Sequence, residues 1–208
     1  IVTGRLSHIQ TIKQGTRPLS NKTSETMQRD MKWKTLKSEY IIRRPWLTAR
    51  RDTVELPTGV VNDEYYVLEY PTWVNVIAVT GGGEYVMIRQ YRHGIGRTGT
   101  EIVAGVCEEG EQPVDAARRE LMEETGYSGG VWCEVMTVSA NTSTMNNLYH
   151  CFLATGVELT GSQHLDRTED IEVLLMTEND VLALLKEGGI MQSLMATPLW
   201  KHFYEKKE

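Results

Sequence analysis

The sequence predicts an α+β fold: a small antiparallel β subdomain, then a ladder of strands accompanied by helices. Three observations point there. Short runs rich in β-branched and aromatic residues recur between turn signals, residues 112–126 have the periodicity and caps of a helix, and residues 177–189 repeat that pattern. At 208 residues and 40% hydrophobic content, the chain can bury one core and carry an appendage.

Residues 1–30 are polar, without a sustained period of 2 or 3.6, and read as an N-terminal extension. Met31 opens more orderly sequence. Over residues 31–62, "SEYIIR" and "RRDTVELP" are β-type runs followed by the turn signal Pro57-Thr58-Gly59, and these make the N-terminal subdomain. Residues 63–208 make the main domain. In it, "YYVLEYP", "TWVNVIAVT" and "EYVMIRQYR" predict a strand ladder, with Gly81-Gly82-Gly83 as a hairpin turn. Those glycines lack the lysine and following helix of a phosphate-cradling loop.

Pro113 at a first helical position and Gly126 beyond a last one bound a helix of about three turns. Further strands are expected at 131–138, 148–154 and 171–176. Thr177 with Asp180 resembles a capping box opening "DVLALLKEGG", and Thr197-Pro198 reads as the cap and first residue of a last short helix.

The longest apolar run, "WVNVIAV" at 73–79, is too short to cross a bilayer, and the N-terminus lacks a basic-then-apolar signal pattern. A cytoplasmic protein without membrane partners is expected. Cys107, Cys133 and Cys151 are odd in number and lack metal-ligand spacing, so they read as reduced packing thiols. The net charge of −6 divides into +6 for residues 1–100 and −12 for residues 101–208. An acidic total argues against a nucleic-acid partner. Opposite halves suit a small anion held by arginines together with carboxylate-bound cations.

"RRELMEETGY", residues 118–127, concentrates the acidity. At ~100° per residue, Val114, Ala117, Leu121 and Thr125 form one stripe, while Glu120, Glu123 and Glu124 cover an adjoining arc with Ala116 inside it. Two carboxylates about 4 Å apart repel by roughly 4 kcal/mol at an effective dielectric near 20. Alone, three such acids read as a solvated helix face.

The wider frame changes that reading. Gly105, Glu111, Arg119-Glu120-Leu121, Glu123-Glu124 and Gly126 stand at the intervals of G-x5-E-x7-R-E-U-x-E-E-x-G-U, where U is bulky and apolar and is Tyr127 at the end. In this the sequence resembles the Nudix hydrolases. The likeness extends over residues 33–195 to the ADP-ribose pyrophosphatase-like branch, through "VMIRQYRHG", "EIVAGVCEEGE" and "LDRTEDIEV".

The resemblance implies an α/β/α sandwich with a mixed sheet and an N-terminal β subdomain whose strands exchange within a homodimer. It implies Mg²⁺, with Mn²⁺ as the alternative, held by Glu120, Glu123, Glu124 and the Ala104 carbonyl, with Gly105, Glu111 and Arg119 in support. Hard divalent ions take oxygen ligands, so carboxylates that repel one another become a site once a metal is bound. The implied reaction is hydrolysis of a nucleoside diphosphate linked to X, most directly ADP-ribose or a related nucleotide sugar, giving a nucleoside monophosphate and phosphorylated X.

Catalysis is expected from Glu123 and from a general base on the acidic loop, where Glu169 stands just before the strand begun by Ile171, among Asp166, Asp170 and Glu172. Arg167 occupies a place where the family commonly has another carboxylate. Arg92, Arg51 and Trp46 are the expected phosphate- and base-binding groups, and His93 reads as a surface residue. "SANTSTMNN", residues 139–147, lacks the proline frequent in members selective for ADP-ribose, so other sugar nucleotides and dinucleotides stay open. The rival reading is a Nudix fold that senses a nucleotide metabolite without hydrolysing it. The intact box favours hydrolysis.

Overall fold

The computed structural model describes residues 29–207. The extension expected over residues 1–30 therefore lies outside them, except Arg29 and Asp30. Three strands, β1 (Lys34–Arg44), β2 (Leu47–Glu55) and β3 (Val61–Glu69), form an antiparallel sheet in that order. The turn at Pro57-Thr58-Gly59 is closed by Gly59 N–H donating to the Leu56 carbonyl at 2.9 Å.

The third strand corrects an expectation. "YYVLEYP" does not join the main ladder but pairs with β2, so the division at residue 62 falls inside β3. Charge and burial explain the choice. Arg50 on β2 pairs with Glu69 on β3 as well as with Asp52, and much of β3 faces solvent. The next strand is nearly continuous buried hydrocarbon and needs neighbours and cover on both faces.

That strand, β4 (Trp73–Thr80), turns through the three glycines into β5 (Tyr85–Arg92), with Thr80 N–H donating to the Glu84 carbonyl at 2.8 Å. The sheet runs β10-β5-β4-β9-β8, where β8 is Tyr127–Val138, β9 Tyr149–Leu159 and β10 Ile171–Met176. Short strands β6 (Arg97–Glu101) and β7 (Val103–Val106) pair with β5 and β4 respectively. The β4–β9 pair is parallel and the other pairs are antiparallel, so the sheet is mixed.

Helix α1 (Pro113–Thr125) covers one face, and α2 (Glu178–Lys186) with α3 (Ser193–Glu205) the other. Alternation along β4 serves both: Val74, Val76 and Ala78 pack with Ala116, Ala117 and Leu121 of α1, while Ile77 packs with Val181, Leu185, Met195, Leu199 and Phe203. Ala116 thus belongs to the core and does not stand clear within the carboxylate arc. The α/β/α layering agrees with the expected fold class.

The capping box of α2 is formed, with Asp180 N–H donating to Thr177 Oγ1 at 3.2 Å. The last helix starts earlier than expected. It runs from Ser193 with Gln192 as N-cap, and Pro198 sits inside it. A proline in a helix interior leaves the carbonyl four residues back without its N–H. Here that acceptor, the Leu194 carbonyl, takes a hydrogen bond of 2.8 Å from the side-chain amide of buried Asn75 on β4.

Cys151 is buried and Cys107 partly so, but Cys133 is exposed and packs no core. No helix among the described residues is long and apolar enough to cross a membrane.

Candidate active site

Helix α1 is held at a fixed angle by its two ends. Gln112 precedes Pro113, and Gly126 lies at φ 76°, left-handed, with its N–H on the Met122 carbonyl at 2.8 Å. A Cβ at Gly126 would also lie 2.5 Å from the Gly161 carbonyl oxygen, so the loop following β9 can pass only over a glycine.

Arg119 then ties the helix to the loop before it. Its Nε and Nη2 donate to the two carboxylate oxygens of Glu111 at 3.1 and 3.0 Å, and Nη2 also reaches the Val106 carbonyl at 2.9 Å. Glu111, held mainly by that pairing, has its pKa lowered, and Arg119 is kept firmly protonated. Arg119 Nη1 meets Glu120 at 2.9 Å and Glu123 at 3.0 Å.

Glu120 also accepts from Val106 N–H at 3.2 Å, and it folds so closely over Gly105 that a Cβ there would lie 1.9 Å from the Glu120 carboxyl carbon. Burial pushes the Glu120 pKa up. Glu124 is the extreme case. It is 4% exposed, its one hydrogen-bond donor among the described residues is the Ala104 N–H at 3.3 Å, and its pKa is pushed up to about 8 by burial and by the negative charges of Glu120 and Glu169. A low-dielectric carboxylate so weakly solvated is a place that favours a cation.

Arg119, Glu120 and Glu123 line a largely polar cleft of about 450 Å³ together with Ala104, Gly105, Trp46, Arg92, Asp166 and Glu169, while Glu124 lies buried beside it. Glu169 accepts from Asp166 N–H at 2.9 Å and donates its own N–H back to the Asp166 carbonyl at 2.9 Å, making a tight acidic turn. Asp170 and Glu172 line a different depression, where Glu172 pairs with Arg89 at 3.3 Å. Arg51 is also elsewhere in the same chain, paired with Glu39 at 3.0 Å on the small sheet.

Two site residues escaped the reading of the sequence. Glu101, buried on β6, receives Arg92 as a fork, with Nε at 3.1 Å from both oxygens and Nη2 at 2.6 Å. Arg92 Nη1 makes no hydrogen bond among the described residues. His164 lines the cleft with its N–H on the Glu123 carbonyl at 2.8 Å. The charge of Glu101 directly before the apolar run "IVAG" was the signal available for the first. No comparable pattern marks His164.

No three His, Cys, Asp or Glu side chains among the described residues converge as a ready-made metal cage. Arg119 draws Glu120 and Glu123 onto itself. The donors are still all hard oxygens beside an underpaired buried carboxylate, and that set fits a divalent ion.

Residues 69–196 match the NUDIX domain model, and residues 33–68 match the model of a nucleoside diphosphate sugar hydrolase N-terminal domain. The chain belongs to the Nudix hydrolase family. Members of this family generally use divalent metal ions, and this Nudix hydrolase is a pyrophosphohydrolase by the company it keeps. It is 33% identical to an ADP-ribose pyrophosphatase of Bacillus subtilis (strain 168), over 78% of its own length and 88% of the relative's. It is 34% identical to a methanol dehydrogenase activator of Bacillus methanolicus, over 77% and 86%. A crystal structure of an ADP compounds hydrolase superposes with a TM-score of 0.75 at 20% identity, covering 86% of this Nudix hydrolase and 97% of that chain, a likeness of fold.

Proposed function

We propose that the protein is a Mg²⁺-dependent hydrolase of nucleoside diphosphates linked to a second group, with ADP-ribose or a related nucleotide sugar as substrate. The observation that carries this is the set of carboxylates Glu120, Glu123 and Glu124, of which Glu124 is buried and the other two line a polar cleft that Arg92 also lines with one nitrogen unengaged. The similarity to an ADP-ribose pyrophosphatase supports the choice of substrate class.

Glu120, Glu123 and Glu124, with the Ala104 carbonyl, would hold Mg²⁺, or Mn²⁺ in its place. When bound, the metal neutralises the diphosphate and makes its phosphorus open to attack. Arg92 Nη1 holds a phosphate oxygen, and Glu101 keeps the guanidinium aimed. Glu169 takes a proton from the attacking water, whose oxygen forms the new P–O bond. The bridging oxygen leaves with the other phosphate, so one water yields a nucleoside monophosphate and phosphorylated X. Trp46, 80% exposed and lining the cleft, offers its face to the base.

A homodimer would complete this arrangement. Leu36, Tyr40, Ile41 and Ile42 of β1 and Leu47 of β2 are exposed apolar side chains of the kind a second copy covers. Exchange of the N-terminal strands would bring Arg51 of one copy towards the cleft of the other. The three unpaired cysteines suit a cytoplasmic setting.

Incubation with a panel of nucleoside diphosphate compounds and Mg²⁺, with identification of both products, tests the reading. Tight binding without products would convert the protein into a sensor. Glu169→Gln should slow turnover by about a hundredfold or more. An unchanged rate would move the base to Asp166.

A further inference from the structure

The loop from β9 to β10, residues 160–170, carries Glu169 and is fastened to the last turn of α1. Thr160 and Gly161 N–H donate to the Gly126 carbonyl at 3.0 and 3.1 Å, and His164 N–H takes the Glu123 carbonyl at 2.8 Å. Gln163 adds a contact from its side chain. Its Nε2 donates to the Glu124 carbonyl at 2.7 Å and to the Ile171 carbonyl at 3.1 Å. Both partners can only accept, so the amide nitrogen, with its two hydrogens, must be the end that faces them.

These bonds answer a need of the helix, whose last carbonyls have no N–H partner within it. The loop satisfies those of Glu123 and Glu124, and the same two residues present carboxylates to the site. At the other end, Ile171 opens β10 just beyond Glu169. Gln163 is the one side chain among the described residues that hydrogen-bonds to both α1 and β10. It thereby closes the neck of the arc 164–170. Within that arc Leu165 packs against the core, residues 166–170 are exposed, and Asp166 and Glu169 bond only to each other. Those contacts give the arc its shape, whereas the closed neck gives it a place over α1. Gln163 itself does not line the cleft.

We infer that Gln163 is a positioning residue for hydrolysis: by bonding the backbone of Glu124 and of Ile171 at once, it sets where Glu169 stands over the glutamates. It acts through Glu169 and touches neither substrate nor metal. This rests on the reading of Glu169 as the base given above, and adds to it what keeps the base in reach. A group displaced by about 1 Å from its reacting partner can lose on the order of a hundredfold in rate.

Gln163→Met keeps the length of the side chain and removes both donors, while Gln163→Lys brings donors back and suits a helix C-terminus. Steady-state kinetics on ADP-ribose with Mg²⁺ should show kcat of Gln163→Met down by about ten- to a hundredfold, with KM within about threefold of wild type. Gln163→Lys should recover most of the loss, and Gln163→Asn, too short to reach both carbonyls, should fall between. In a Glu169→Gln background, Gln163→Met should cost almost nothing further, because the group it places is gone. Amide hydrogen exchange over residues 164–170 of the metal-free protein should quicken in Gln163→Met. Thr177→Ala removes the cap of α2, and it should lower the thermal midpoint without changing kcat.

A wild-type kcat in Gln163→Met, a loss that persists in full beside Glu169→Gln, unchanged exchange over the arc, or an equal fall of kcat in Thr177→Ala would each overturn the inference and leave Gln163 as a helix cap. If Glu169→Gln itself turns over at the wild-type rate, the assignment of the base has failed and the positioning role falls with it. If Glu169→Gln is slow and Gln163→Met is not, only the positioning role is lost.

Discussion

Replacing Glu124 with glutamine should move stability and activity in opposite directions. In the metal-free protein Glu124 is buried and has a pKa of about 8, against an ordinary value of 4.5. The folded state therefore keeps a proton that the unfolded chain has already released. Stability falls as pH rises from about 4.5, and the fall levels off above about 8. Integrated to pH 7, this destabilises the fold by about 3 kcal/mol relative to acid conditions. Glutamine has nearly the same shape, carries no proton to lose, and still accepts from Ala104 N–H. In chelator at pH 7, Glu124→Gln should raise the thermal midpoint by about 5–10 °C, and the loss of stability between pH 5 and 8 should flatten. The same variant should lose Mg²⁺-dependent turnover by orders of magnitude, together with the stabilisation that added Mg²⁺ gives wild type. Thermal unfolding by calorimetry across pH, with and without Mg²⁺, reads all three. A variant less stable than wild type in chelator would refute the claim that keeping this carboxyl protonated costs the fold stability, and near-normal turnover would refute its part in binding metal.

Further substitutions probe other parts of the site and fold. Gly105→Ala should leave the fold intact, because the added methyl meets the movable end of Glu120, yet displace that carboxylate and weaken Mg²⁺ activation by about ten- to a hundredfold; a metal titration of the rate checks it. Glu101→Gln should raise KM by about tenfold with a smaller effect on kcat, and Glu101→Asp should restore part of the loss, since Arg92 is aimed through the fork. Asn75→Ala should cost about 1–3 kcal/mol by leaving the Leu194 carbonyl without a donor, visible as a lower denaturant midpoint with an unchanged slope.

What could be read from the chain were the features whose causes are local. Pro113 and Gly126 bound α1, Thr177 and Asp180 cap α2, and the three glycines turn β4 into β5, each through its immediate backbone. The spacing from Gly105 to Gly126 likewise carried the family, because the box is contiguous. What was missed depends on distant pairing. β6 reads "RTGTE", with no apolar residue to reveal a period, and becomes a strand only by lying against β5. Glu101 is buried because that pairing brings it under Arg92. β3 has a sequence that suits either sheet, and the partner that distinguishes them, Arg50 on β2 for Glu69, lies 19 residues away. The start of α3 was hidden by a rule that holds for isolated helices, that proline opens them. Asn75 suspends that rule from the other side of the core.

The bond between Asn75 and the Leu194 carbonyl couples two positions far apart in the chain in the order in which they could change over generations. A carbonyl oxygen has two lone pairs, so replacing Pro198 first would add an intrahelical N–H without evicting Asn75. That step is mild. Losing Asn75 while Pro198 remains strands a buried acceptor inside a helix. Drift at these two sites is therefore directional: the proline must go before the asparagine is free to vary, and a lineage that keeps Pro198 inside the helix keeps both.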